Sequence, residues 1–417
     1  MPNDTIPAMK MRGAVIVGFI LIELCVGLGT KTDEASLHTT DFVNFYAAAT
    51  IIHEGNASTL YTRSTQDKAL SNLQQGNNWQ YYLHPPFEAY TLVPLAHMPL
   101  QNAYRLWLVL NVGLLAIYPL LVASSIALIN RKPYWGWLGL IFLPALTAVV
   151  LGQDSILLLL VITFSYLKLL RKQNFVAGLI LSLATIKFQF LLLLSALLFT
   201  SRRSFFLGGC LTGIALLVII SAMITGPHGL VQYAQFLHDF DIHSGYGSLN
   251  PRVMVNLRGF LTGIIGSHDF RAWSLAGDIT LMILGMMFLR AVPKLKDQNL
   301  FFAFCVALTV IASPYAHFPD MTILILPMLL AIDWVTSRQR WEIQEKFLIF
   351  STATLFCLPT ILITFSGLYW WKSKVYLNFG AIFLFLFTLA WNMWTTSFPQ
   401  PASASPPFAT QLPRDHS

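Results

Sequence analysis

Apolar residues along this chain come in long runs separated by short polar loops. A helix crossing a bilayer needs roughly 20 consecutive apolar residues, and the pattern predicts spans near 13–29, 103–129, 134–151, 154–170, 204–225, 273–292, 299–313, 320–335, 346–366 and 376–396. One further apolar piece, 175–200, is interrupted in its middle by Lys187-Phe188-Gln189. At 1.5 Å per residue each half is about 20 Å long. That is too short for two comfortable crossings but enough for a helical hairpin.

Loop charges decide between a hairpin and a single tilted span. Short cytoplasmic loops carry an excess of Lys and Arg. With the N-terminus inside, Arg131-Lys132, Lys168/Arg171/Lys172, Arg202-Arg203, Arg290/Lys294/Lys296 and Arg338/Arg340/Lys346 all fall in the cytoplasm, provided 175–200 enters and leaves on one side. A single span would reverse every later loop. The charges therefore predict a re-entrant helix pair with Lys187 near its tip, reaching a deep cavity.

Against this background the polar stretch 31–100 stands out. It predicts a short helix over 41–54, capped by Thr39 or Thr40 and ended by Gly55. Phe42, Phe45, Tyr46, Ala49 and Ile52 make an apolar stripe on it, as on a helix lying at a membrane surface. Asp41 and Asn44, three apart, share a face. A second interfacial helix over 86–98 is broken by Pro94 and Pro99. Lys10 and Arg12 before the first run resemble a signal peptide, but the run lacks a clear A-x-A site and reads as a retained first helix. The Pro-, Ser- and Ala-rich end predicts a disordered cytoplasmic tail over 398–417, behind one multi-span domain over 1–397.

Composition supports the membrane reading. The 417 residues are 55% hydrophobic and 11% charged, with mean hydropathy +0.62, where soluble domains average about 25% charged. The net charge of +7 is accounted for by cytoplasmic loops rather than nucleic acid. Cys25, Cys210, Cys305 and Cys357 lie in apolar segments without CxxC spacing, as buried packing residues would. The extracytoplasmic face collects 31–100, Gly152-Gln153-Asp154, Lys187, the 226–272 loop, Ser313-Pro314-Tyr315-Ala316-His317 and Trp370-Trp371-Lys372.

Several of these residues are suited to chemistry. Asp41 opens a helix whose dipole favours an ionised carboxylate, able to take a proton from a hydroxyl; it also suits a plain helix cap. Asp33 and Glu34 look like solvated linker charges. Lys187 at membrane depth calls for an anionic partner such as a phosphate, unless it snorkels to the interface. Gln153 and Asp154 make a turn and cap, or contribute to the same cavity. His317 suits a phosphate or sugar hydroxyl, with Asp320 orienting it or capping the next helix. Arg252 and Arg258 suit phosphate or lipid headgroups. No P-loop, G-x-S-x-G, HExxH, Rossmann or paired-acid metal motif stands out, so soluble nucleotides have no visible site.

Together these landmarks resemble glycosyltransferase family 87, mannosyltransferases within the polyprenyl-phosphate-dependent GT-C superfamily. They run in order from Asp41-Phe42 and Tyr46, through Gly55, Tyr61, Tyr82, Pro85-Pro86-Phe87, Pro94-Leu95, Trp107, Gly152-Gln153 and Ala177-Gly178, to Lys187, Ser313-Pro314 and His317. Lys187 is followed by Phe188, where the family usually has Pro. The resemblance implies an all-α GT-C-like helix bundle in the plasma membrane. It also implies inverting transfer of a hexose, mannose foremost, from a polyprenyl-phosphate donor to a lipid or glycan acceptor on the outer face. Asp41 would then be the base, Lys187 and His317 would attend the donor phosphate, and Gln153, Arg258, His84 and Tyr46 would complete the substrate-binding candidates. No cofactor or metal is implied. A transporter or flippase is the rival, for which inverted repeats are expected and none is visible; a scaffold protein would leave Asp41 dispensable.

Overall fold

A computed structural model describes residues 37, 40–73, 80–132, 134–199, 204–242, 251–266, 270–292, 297–371 and 374–397. The 13–29 span, Asp33, Glu34, Thr39, Cys25 and the 398–417 tail lie outside these residues. The chain is an all-α polytopic membrane protein. Among the described residues, seven helical segments are long and apolar enough to cross a membrane, and regular strands are absent.

The polar stretch forms α1 (Phe42–His53), α2 (Arg63–Ser71), α3 (Pro86–Thr91) and α4 (Val93–Ala96). Glu54 closes α1 and Gly55 follows at φ 80°, a left-handed turn that glycine makes without strain. Two expectations for α1 need correction. It is not a surface helix: Phe42, Val43, Asn44, Phe45, Ala47, Ala48, Ala49 and Ile51 are all buried, because α2, α3, α4 and the first long span close around it. Nor does a threonine cap it. Asp41 is the N-cap residue, without a side-chain cap bond, and Thr40 Oγ1 donates instead to Leu37 O at 2.8 Å.

The spans follow as α5 (Leu100–Val122), a short α6 (Ala127–Arg131), a broken segment, and α9 (Ser155–Leu170). The expected single span over 134–151 is α7 (Tyr134–Trp137), a 3₁₀ turn (Leu138–Ile141) and α8 (Leu143–Leu151). Pro144 explains the break, since it is accommodated only in the first turn of α8. Asp333 satisfies the start of α6 by accepting from Leu128 N at 2.6 Å.

The 175–200 piece is α10 (Asn174–Leu181), a 3₁₀ turn (Ser182–Lys187) and α11 (Phe188–Phe199). Its 26 residues could span a membrane by length and composition, yet they fold back. A Cβ on Gly178 would lie 2.8 Å from Cys210 N, while Ser195 Oγ is 3.8 Å from Cys210 Sγ. A straight helix would separate residues 178 and 195 by about 25 Å, so one cysteine could not touch both. The next helix, α12 (Ser204–Ile242, broken at Gly226), meets Gly178 near Phe206 and Ser182 at Gly213. Contacts thus advance together along α10 and α12, which are parallel and begin at the same level. The segment is the re-entrant pair, with Lys187 at its turn.

The remaining helices are α13 (Leu257–Ile265), α14 (Arg271–Ala291), α15 (Gln298–Ile311), a 3₁₀ segment (Phe318–Leu324) running into α16 (Ile325–Thr336), then α17 (Ile343–Trp371) and α18 (Asn378–Ser397). Every residue from Leu300 to Ile311 is buried, as is nearly all of Phe318–Thr336. These two segments are largely apolar because protein surrounds them. Helices α12 and α14 keep apolar surface exposed, including Ile219, Met223, Ile283 and Met287, as lipid-facing elements do. Cys210 and Cys305 are buried and free, but Cys357 is exposed, contrary to the packing role expected for it.

Candidate active site

A glycine turn brings the first two polar groups together. After α8 the chain turns through Gly152 at φ 70°. A Cβ there would lie 2.6 Å from Phe42 Cβ, and Trp107 Nε1 donates to Gly152 O at 2.9 Å. The turn is therefore pressed against the residue following Asp41. Gln153, next in the chain, donates from Nε2 to Asp41 Oδ2 and accepts from Lys187 Nζ at 3.3 Å through Oε1. One amide thus joins the carboxylate of α1 to the cation of the hairpin.

Lys187 is buried but richly partnered. Its Nζ lies 2.9 Å from Asp154 Oδ1, donates to Asp320 Oδ1, and donates to Ser155 Oγ at 3.1 Å. Ser155 Oγ in turn donates to Asp320 Oδ1 at 3.1 Å. The other oxygen of Asp320 accepts from His317 N at 2.8 Å, so this carboxylate both starts the helix after His317 and holds Lys187. The His317 loop is also tied down by Val255 N donating to Ala316 O (2.9 Å), Asn256 Nδ2 to Ser313 O (2.7 Å) and Gln189 Nε2 to Tyr315 O (3.1 Å).

A second cluster surrounds His84. Its Nδ1 lies 2.9 Å from Glu88 Oε2 and 3.3 Å from Asp154 Oδ2, and Tyr82 donates to Glu88 Oε2 at 3.1 Å. The segment before α3 is pinned by its carbonyls: Tyr61 donates to His84 O (2.6 Å), Tyr233 to Leu83 O (3.2 Å) and Gln66 to Tyr82 O (3.3 Å).

These groups border a cavity of about 520 Å³, whose wall includes Asp41, Asn44, His84, Gln153, Lys187 and His317. Aromatic rings of Phe45, Tyr81, Tyr82 and Tyr315 form much of the rest. Three of the sequence candidates, Tyr46, Arg258 and Arg252, are not among the lining residues. Tyr46 turns away to donate to Met98 O at 2.8 Å. Arg258 is buried in α13 behind the wall, with its guanidinium 5.8 Å from the Tyr315 ring. Arg252, in the turn Pro251–Val253, is likewise absent from the lining.

The electrostatics depart from the helix-dipole expectation. Burial holds the Asp41 carboxyl above the ordinary carboxylate range, against the Gln153 hydrogen bond and the Lys187 charge. Burial also raises Glu88. For His84 burial favours the neutral ring, but Glu88 and Asp154 outweigh it and lift the imidazole to about 10. Burial opposes the charge on Asp154, yet Lys187 and His84 keep its carboxyl well below the usual range. Burial lowers His317, favouring a neutral ring.

Sequence reading overlooked Glu88 and Ser155. His84-x-x-x-Glu88 has i,i+4 spacing, a usable signal, but His84 lies ahead of the helix that begins at Pro86, so the pair does not read as neighbours on one helix. Ser155 could be found only from its contact across 165 residues with Asp320. His84, Glu88 and Asp154 together are also metal-ligating types whose ligand atoms lie within 4.8 Å of one another, although no metal motif stands out in the sequence.

The all-α membrane bundle thus places a carboxylate, an amide and a buried lysine on one aromatic-walled cavity. Residues 82–314 match the sequence profile of glycosyltransferase family 87, more than half of the chain, and the protein belongs to that family. It is a membrane glycosyltransferase. No curated protein and no solved structure matches it.

Proposed function

We propose that the protein moves a hexose, mannose foremost, from a polyprenyl-phosphate donor to a hydroxyl of a lipid or glycan acceptor at the outer face of the plasma membrane, with inversion. One observation carries this reading: Asp41 and Lys187 face the same cavity and are joined through the single side chain of Gln153. Asp41 removes the acceptor hydroxyl proton as its oxygen attacks the anomeric carbon. The bond from that carbon to the phosphate oxygen breaks, and the lipid phosphate leaves with the electron pair. Lys187 offsets the charge developing on the phosphate, so a separate general acid is not required. His317, on the same wall, is placed to donate a hydrogen bond to the phosphate or a sugar hydroxyl. Delivery on a lipid accounts for a site without nucleotide-binding motifs.

Asp41→Asn keeps the shape of the side chain and its place beside Gln153 but cannot take the proton. In proteoliposomes supplied with polyprenyl-phosphate mannose and acceptor lipids, transfer followed by mass spectrometry should fall by about 100-fold or more. Undiminished turnover in this variant would eliminate Asp41 as the base. A transporter would instead carry the lipid-linked sugar across the bilayer without consuming it.

A further inference from the structure

The buried network linking Asp41 to Glu88 gathers the carboxyl groups of Asp41, Glu88, Asp154 and Asp320 around the side chains of Lys187 and His84.

We infer that His84, Glu88 and Asp154 bind a divalent cation of the Mg²⁺/Mn²⁺ class at the wall of the cavity. The edges His84 Nδ1–Glu88 Oε2 (2.9 Å) and His84 Nδ1–Asp154 Oδ2 (3.3 Å) match the separations of neighbouring ligands around one ion at about 2.1 Å from each. A second observation points the same way. His84 Nδ1 and both oxygens of Asp154 are buried without a hydrogen bond, although Asp154 is 0% exposed. The ring nitrogen thus lies close to two carboxylate oxygens without donating in line to either. Lys187 holds Asp154 through Oδ1 and leaves Oδ2 on the His84 side. One imidazole and two carboxylates make an oxygen-rich set that suits Mn²⁺ or Mg²⁺ better than a thiolate-seeking metal. His84 lines the cavity and the buried Glu88 and Asp154 lie behind it, so an ion held by the three sits at the cavity wall. There it offers a contact for phosphate oxygens of the lipid donor, so the inference rests on the proposed function.

The test is direct binding without donor or acceptor. Full-length protein in nanodiscs, stripped with EDTA and dialysed, is titrated with MnCl₂ while the free Mn²⁺ signal is followed by electron paramagnetic resonance. One saturable Mn²⁺ per chain is expected, with affinity lowered tenfold or more in Glu88→Gln and in His84→Gln, each checked for unchanged thermal unfolding. An unfolded variant is replaced by Mg²⁺ competition against Mn²⁺ on the wild type, where displacement at the same single site is expected. Absence of saturable binding, or wild-type affinity in both folded variants, overturns the cation site. Sugar transfer by a protein that shows no saturable Mn²⁺ binding would overturn the cation site while leaving the proposed function intact; saturable binding by a wild-type protein that transfers no sugar from the lipid donor would do the reverse.

Discussion

At the scale of single residues, Gln153 is the junction of the site, and its two contacts act in the same direction. Its Nε2 favours the ionised form of Asp41, opposing the burial that raises the carboxyl. A general base works only when ionised, so transfer is lost as pH falls through the Asp41 pKa, on a limb above the ordinary carboxylate range. Gln153→Ala removes a bond that favours ionisation, so this acidic limb should move to still higher pH. It also releases Lys187 from Oε1. A hydrogen bond to a charged group contributes about 1.5–3 kcal/mol, so kcat/KM at neutral pH should fall by about 10- to 100-fold. The informative measurement is the full pH profile of kcat/KM. A uniform drop with the limb in place would show that Gln153 acts only as packing.

At the scale of elements, the tip of the hairpin is only as well placed as the contact between α10 and α12. That contact is made of small residues: a Cβ on Gly178 would meet Phe206 O at 2.0 Å, and one on Gly209 would meet Phe175 O at 2.0 Å. Backbone lies on both sides of each glycine, so no flexible side chain can move aside. Gly178→Ala should therefore push the helices apart, destabilise the fold by about 1–3 kcal/mol, and carry Lys187 away from Asp154 and Asp320. A lowered unfolding temperature together with weakened donor KM is the expected pair of results; an unchanged variant on both would show that the crossing has slack. The hairpin was legible in the sequence because loop charge and segment length both constrain it. The burial of α1 was not. Phe42, Phe45 and Ala49 read equally well as a lipid-facing stripe or as core, and only the closing of α2, α3 and α4 around them decides between the two.

At the scale of the whole molecule, the site is assembled from segments far apart in sequence, and this explains which parts could be anticipated. Asp41, Gln153, Lys187, His84 and His317 stood out singly because polar residues are conspicuous in an apolar chain, and the fold brings all five to one cavity. Asp154 and Asp320 stood out beside them, but their pairing with Lys187, and the parts of Glu88 and Ser155, are encoded by no local pattern. This convergence requires a particular topology. If Asn174–Phe199 enters and returns on one side, the residues flanking it, Gln173 and Ser204, share a face of the membrane, opposite to Glu54 at the end of α1. In a cysteine-free background, Gln173→Cys and Ser204→Cys in sealed, inside-out vesicles should react with a membrane-impermeant maleimide, whereas Glu54→Cys should react only in intact cells or right-side-out vesicles. Labelling of 173 and 204 from opposite faces would mean a single crossing. Lys187 would then lie part-way along a span, every loop after it would be inverted, and the shared cavity with Asp41 would have to be abandoned.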